Sequence, residues 1–217
     1  MISQHPDIHL LTEYTNGSCD WALAILIKTH LEHCRLCRSQ VHQMEQLGAA
    51  LLSFGPSVEV ADECLDQLWQ SIDELPASNS VPPPCVEPNM QELPKLIQRL
   101  VKPELPWKKI SKHLKQKRLV TGQNKYEVAL QSIKSGGQVS THDHRSTEYT
   151  LVLQGSFSDA DGIYNAGDFI QRQPGQIHKP TASQNEDCLC LTAVEQPVRL
   201  THWLGRFINP FLRVYPA

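Results

Sequence analysis

The apolar positions along this chain keep one period in its first third and another in its second half. Up to about residue 77 they recur every three or four residues, the spacing of amphipathic helices. Four helices are expected there. A short one lies near PDIHLLTEY, with Pro6 in its first turn, and a second covers WALAILIKTHLEHC, capped by Ser18. A third runs from about Cys34 through LCRSQVHQMEQLGAALL, and a fourth covers ADECLDQLWQSIDEL, capped by Asp62 and stopped by Pro76. Beyond residue 91 the apolar runs are short and β-favourable: KYEVALQSI, EYTLVLQGSF, DFIQ and CLCLTAV, parted by Gly-Gly, Asp-Gly and Pro-Gly turns. Strands at that spacing predict a sandwich or barrel. Between the two textures SNSVPPPCVEPN reads as a stiff, extended linker.

The expected architecture is therefore multidomain, α + β: a small helical bundle over 1–77, a Pro-rich linker over 78–91, a β-barrel over 92–197 and a C-terminal segment over 198–217. In that last segment Trp203, Phe207 and Phe211 share one helical face, which predicts packing on the barrel or at an interface.

Charge and cysteine content narrow the classes. No run of eighteen apolar residues occurs, so no membrane helix is expected. MISQHPDIHLL lacks a basic patch followed by an apolar core, so no secretory leader is expected and the location reads as cytoplasmic. Seven cysteines in such a compartment read as ligands, buried thiols or redox groups, not as a disulfide framework. Residues 1–90 carry three Lys/Arg against twelve Asp/Glu, and the remainder seventeen against eleven. An acidic first part suits a basic protein partner. WKKISKHLKQKRLV carries six basic residues and predicts a solvated edge strand defended by charge. With no helix-turn-helix or finger pattern, direct binding to nucleic acid is not expected.

The stretch HLEHCRLC holds the first chemistry. His30 and Cys34 lie one helical turn apart on one face, and Cys37 follows three residues on. A structural Zn²⁺ takes four N/S ligands in a tetrahedron; three are here, and His5 or His9 can supply the fourth. A small helical domain gains stability from such a staple. His5, His30, Cys34 and Cys37 on a small helical domain resemble the zinc-binding anti-sigma domain that clasps an extracytoplasmic-function sigma factor. That resemblance implies His5, and not His9, as the fourth ligand.

HDHRSTE holds the second. His142, His144 and Glu148 share parity and, on one strand, would project from one face into a barrel. His178 follows the turn signal QPGQIH. Three imidazoles and a carboxylate suit Zn²⁺, Fe²⁺, Mn²⁺ or Ni²⁺. This half resembles a cupin, with its first motif as Gly136-x5-His142-x-His144-x3-Glu148-x6-Gly155. The second motif is Gly167-Asp168 … Pro174-Gly175-x2-His178, and it departs from the pattern where Pro174 directly precedes Gly175. Cys188 and Cys190 share parity in an apolar strand and read either as two small buried residues or as a redox pair facing the site.

The order of the two motifs in one chain resembles the ChrR family. That resemblance implies an anti-sigma factor, not an enzyme, that holds a group IV sigma factor and releases it on oxidative stress, such as singlet oxygen or organic hydroperoxides. It also leaves room for a homodimer through the cupin domain. The alternative is a cupin metalloenzyme, dioxygenase-like, with an N-terminal regulatory module.

Overall fold

The computed structural model describes residues 2–75, 92–201 and 213–216; the linker read over 78–91 and the aromatics Trp203, Phe207 and Phe211 lie outside them. Four helices occupy the first part: α1 (Ile8–Thr15), α2 (Trp21–His33), α3 (Arg35–Ser53) and α4 (Glu63–Asp73). Two expected helix starts are corrected. Asp7 caps α1 by accepting from Leu10 N at 2.8 Å, so Pro6 stands ahead of the cap and not in the first turn. Asp20 stands at the N-cap of α2, while the Ser18 hydroxyl turns back to Asn16 Oδ1 at 2.6 Å. In both cases a residue nearer the apolar run takes the non-helical N-cap position.

The helix α2 is apolar on nearly every side, with Ala22, Leu23, Ile25, Leu26, Ile27 and Leu31 all buried. Such a helix needs cover all round. It is held between α1 and α3 on one side and a β-sheet on the other. A short helix not expected from the sequence, α5 (Lys95–Leu100), adds Ile97 to the same core.

Among the described residues eleven strands follow: β1 (Lys108–Lys109), β2 (Leu114–Arg118), β3 (Glu127–Ile133), β4 (His142–Asp143), β5 (Glu148–Gln154), β6 (Ser156–Ser158), β7 (Ile163–Asn165), β8 (Phe169–Arg172), β9 (Thr181–Ala182), β10 (Cys188–Val194) and β11 (Arg199–Leu200). They form sheets ordered β1-β2-β3-β10-β5-β8, β7-β6-β9 and β11-β4. The pairings are antiparallel. Strands β3, β5 and β10 are buried on both faces, which explains their unbroken apolar runs. Leu130, Leu151 and Leu191 point outward into the core shared with α2. Ile133, Val152, Cys188 and Cys190 point inward to a second core inside the barrel. Period-two alternation thus serves two interfaces.

The basic stretch is an edge only in part. Lys108 and Lys109 sit exposed on the outermost strand, but Lys117 on β2, a strand paired with β1 on one edge and β3 on the other, is 1% exposed. His142 to Glu148 also departs from the expected single strand: β4 ends at Asp143 and β5 begins at Glu148. The turn after β5 needs glycine, since Gly155 has φ +69° and a Cβ there would lie 2.5 Å from Asp187 O. Among the described residues no helix is long and apolar enough to cross a membrane.

Candidate metal centres

Three short elements build the helical centre. His30 occupies the last turn of α2, Cys34 is at once the end of α2 and the N-cap of α3, and Cys37 lies in the first turn of α3. The extended segment before α1 brings in His5. The four ligand atoms lie within 4.8 Å of one another. His30 Nε2 stands 3.3 Å from Cys37 Sγ, and His5 Nδ1 stands 3.4 Å from Cys34 Sγ and 3.5 Å from Cys37 Sγ. Tetrahedral Zn²⁺, with Zn–S of about 2.3 Å and Zn–N of about 2.0–2.1 Å, spaces its N and S ligands about 3.6 Å apart, so the residues fit that ion. His9 and His33 are exposed and stand outside the cluster.

Electrostatics favour the same occupant. Burial lowers the His30 pKa to about 4 and pushes the Cys37 thiol up to about 12, aided by Cys34. His30 as a neutral imidazole and Cys37 as a thiol are thus the forms that burial favours. A divalent cation that displaces both thiol protons leaves the buried site neutral again.

The barrel centre has His142 in β4, His144 just after it, and His178 ahead of β9. The His142 and His178 backbones pair across the barrel with N–H···O distances of 3.2 and 3.1 Å. Each imidazole has an oxygen acceptor at Nδ1. His142 faces Ser140 O at 2.9 Å, His144 faces Glu148 Oε2 at 3.4 Å and His178 faces Asp159 Oδ2 at 3.2 Å. A carbonyl or carboxylate only accepts, so each Nδ1 carries the hydrogen and each Nε2 a lone pair. His178 Nε2 lies 3.0 Å from both His142 Nε2 and His144 Nε2. Lone pairs converging at that distance repel unless a cation sits among them. Protons are poor candidates, because burial lowers the His144 pKa and brings that of His178 to about 4. The donor set fits a divalent metal of the imidazole-preferring kind.

Of the four residues expected here, three histidines converge, and Glu148 is placed differently. Its carboxylate lies 3.4 Å from His144 Nδ1 and accepts from Thr150 Oγ1 at 3.0 Å, outside the group of converging atoms. Cys188 and Cys190 share a face as their parity requires, with sulfurs 3.6 Å apart. Their mutual hydrogen bond and burial raise the Cys190 pKa well above its ordinary value, so this thiol is a weak nucleophile. Cys190, Thr150 and Thr192 line a barrel cavity of about 930 Å³ that His142 and His178 also face.

Sequence reasoning missed the support behind His178. Asp159, fully buried at its side chain, is gripped by Arg172 NH2 at 2.6 Å. Arg172 also donates to Tyr164 Oη at 2.6 Å and to Asp161. Burial alone would raise the Asp159 pKa, but the backbone N–H of Asp161, the Arg172 charge and the His178 contact outweigh it and hold the carboxyl below its usual range. One signal was available: Arg172 has the inward parity of Ile170, and a charge pointing into a barrel needs buried partners.

A helical domain with a His₂Cys₂ cluster, seated on a cupin barrel with a histidine triad, defines a class of two-centre proteins. Residues 99–198 match the family described as the ChrR cupin-like domain. The chain is 28% identical over 214 residues to the anti-sigma-E factor ChrR of Cereibacter sphaeroides, covering 98% of this chain and 99% of that protein. It is also similar to a crystal structure of Rhodobacter sphaeroides SigE in complex with the anti-sigma ChrR. That match has 28% identity and a TM-score of 0.74, over 89% of this chain and 100% of that one. An RmlC-like cupin from Ralstonia eutropha matches at 17% identity and a TM-score of 0.42, over 48% of this chain and 72% of that one. The resemblance to ChrR-type proteins thus holds along the chain and not in the barrel alone.

Proposed function

We propose that this chain is an anti-sigma factor that binds and holds an extracytoplasmic-function sigma factor through its helical domain. One observation carries the reading: every residue from 45 to 75 is exposed, although the stretch includes all of α4. Leu65, Leu68, Trp69 and Ile72 lie at i, i+3, i+4 and i+7 of that helix, one apolar stripe open to solvent at 43–58% relative exposure. Leu47, Leu51, Leu52 and Phe54 are equally open on and just beyond the end of α3. An amphipathic helix with its apolar face uncovered is built for a partner's groove. Residues 45–75 hold seven Asp/Glu and no Lys or Arg, so that partner is basic, as a promoter-binding sigma factor is. The ChrR relative and its complex with SigE support the same partner.

Zinc in the helical centre would tie the His5 segment, the end of α2 and the start of α3 into one body, fixing the direction in which α3 leaves. The second metal, zinc or another divalent ion, would sit among the three Nε2 atoms of the barrel. Damage there on oxidative stress, by singlet oxygen or organic hydroperoxides, would alter the barrel and release the sigma factor in the cytoplasm. With the Cys190 thiol held protonated, the imidazoles, to which singlet oxygen adds, are better placed than that thiol to take damage from singlet oxygen. The barrel cavity is the feature that favours the alternative, a metalloenzyme; the end-to-end likeness to a regulator outweighs it.

The test is transcription by core polymerase and the cognate sigma factor, with purified metal-loaded protein added. Stoichiometric inhibition that the protein with α4 deleted fails to give supports the reading. Equal transcription with and without the protein refutes it.

A further inference from the structure

We propose that the Gly167–Asp168 turn of the cupin domain is the outer shell of the helical metal centre, so that the barrel sets the metal affinity of the domain that carries the partner-binding face. The inference rests on the reading that His5, His30, Cys34 and Cys37 hold a metal. Both imidazoles of that centre are positioned by this one turn. His30 Nδ1 donates to Gly167 O at 2.8 Å, which fixes the tautomer and leaves Nε2 for the metal. The segment carrying His5 is held one and two residues upstream. Asp168 Oδ1 accepts from Ser3 N at 2.6 Å and Gln4 N at 2.9 Å, and Phe169 N donates to Gln4 O at 3.0 Å.

The fit is specific. Asp168 is fully buried, and its other oxygen accepts from Asn165 N at 2.7 Å. Its carboxylate thus spends one side on the barrel's own turn and the other on the helical domain. Gly167 has φ +95°, and a Cβ there would lie 2.6 Å from Ile2 Cδ1, so the N-terminal segment lies directly on the turn. Four residues further on, Arg172 grips the Asp159 that orients His178. The outer shell of one centre therefore lies just ahead of β8, and the last residue of β8 supports that of the other.

Losing an outer-shell partner costs about 10–100-fold in metal affinity. The test is a Co²⁺ titration of the full chain, read at the thiolate-to-cobalt charge-transfer band. Among the metal clusters of the described residues, the Cys34/Cys37 centre gives that band, since the barrel cluster offers imidazole nitrogens. Asp168→Ala is expected to weaken Co²⁺ binding at this band at least tenfold, with Asp168→Asn, which keeps a carbonyl acceptor, restoring part of it. Ser3→Pro, on an exposed residue outside the barrel, removes both the N–H and the hydroxyl that Ser3 donates to Asp168 Oδ1 and is expected to weaken it at least threefold; it decides the matter if Asp168→Ala does not fold. Affinities within twofold of wild type in Ser3→Pro and in the folded Asp168 variants overturn the inference while leaving the metal reading intact. Absence of the band in the wild-type protein overturns both.

Discussion

Replacing Trp69 by alanine separates a binding face from a packing face. Trp69 is 56% exposed and has Leu65, Leu68 and Ile72 beside it on α4. A tryptophan presents about 250 Å², so about 140 Å² of it is open for a partner to cover. At about 25 cal/mol per Å² that burial contributes about 3.5 kcal/mol, and ordering of the interface takes back part. A loss of about 2 kcal/mol in complex stability remains, a dissociation constant raised about 30-fold. The free protein gives up almost nothing, because the side chain is already in water: a change within about 0.5 kcal/mol, hence a melting temperature within about 2 °C of wild type. Isothermal titration against the cognate sigma factor, with thermal unfolding of the same samples, makes the measurement. A dissociation constant within twofold of wild type refutes α4 as the docking face. A melting temperature lowered by more than about 4 °C refutes its being unpartnered in the free chain.

Other expectations follow from the buried groups. Asp159→Ala frees His178 Nδ1 and leaves Arg172 with Asp161 as its one carboxylate partner; metal affinity at the barrel centre, read by chelator competition, should fall about 10–100-fold, and an unchanged value would show that the carboxylate does not orient the ring. In chelator-treated protein His30 and His178 keep pKa values of about 4, while the unfolded chain binds protons from about 6.5 downward. Stability should therefore be level above that pH and decline from about pH 6.5 to 4; a melting temperature that does not fall over this range contradicts the assigned neutral imidazoles. Among the described cysteines Cys64 is exposed, Cys19 is partly buried with a pKa raised to about 11, and Cys188 and Cys190 are buried. Alkylation followed by mass mapping should mark Cys64 first and Cys188 and Cys190 only after unfolding; early labelling of Cys190 would restore it as a reactive thiol.

Both metal clusters were legible in the sequence because ligand spacing is a local property. A helix turn places His30 over Cys34, and a motif spacing brings His142, His144 and His178 together whether or not the chain between is one strand. Here it is not, and Glu148 turned out to face His144 Nδ1 instead of the converging nitrogens. The central strands were legible from their apolar runs, but not their division into an outward core against α2 and an inward one. That division depends on which domain covers the sheet. Helix caps failed for a smaller reason: Ser18 and Asp20 are both acceptable caps, and the Ser18 hydroxyl is taken by Asn16 Oδ1. The outer shells were out of reach because Asp168 reaches Ser3 across 165 residues and Asp159 reaches His178 across 19, with no local signature.

The central claim is that a metal-held helical domain clasps a sigma factor. Its most direct measurement is the affinity of the full chain for that factor before chelation, after chelation and after zinc is returned. The account predicts tight binding, its loss when the His5, His30, Cys34 and Cys37 cluster is emptied, and its recovery with zinc. Equal affinity with and without metal would contradict it.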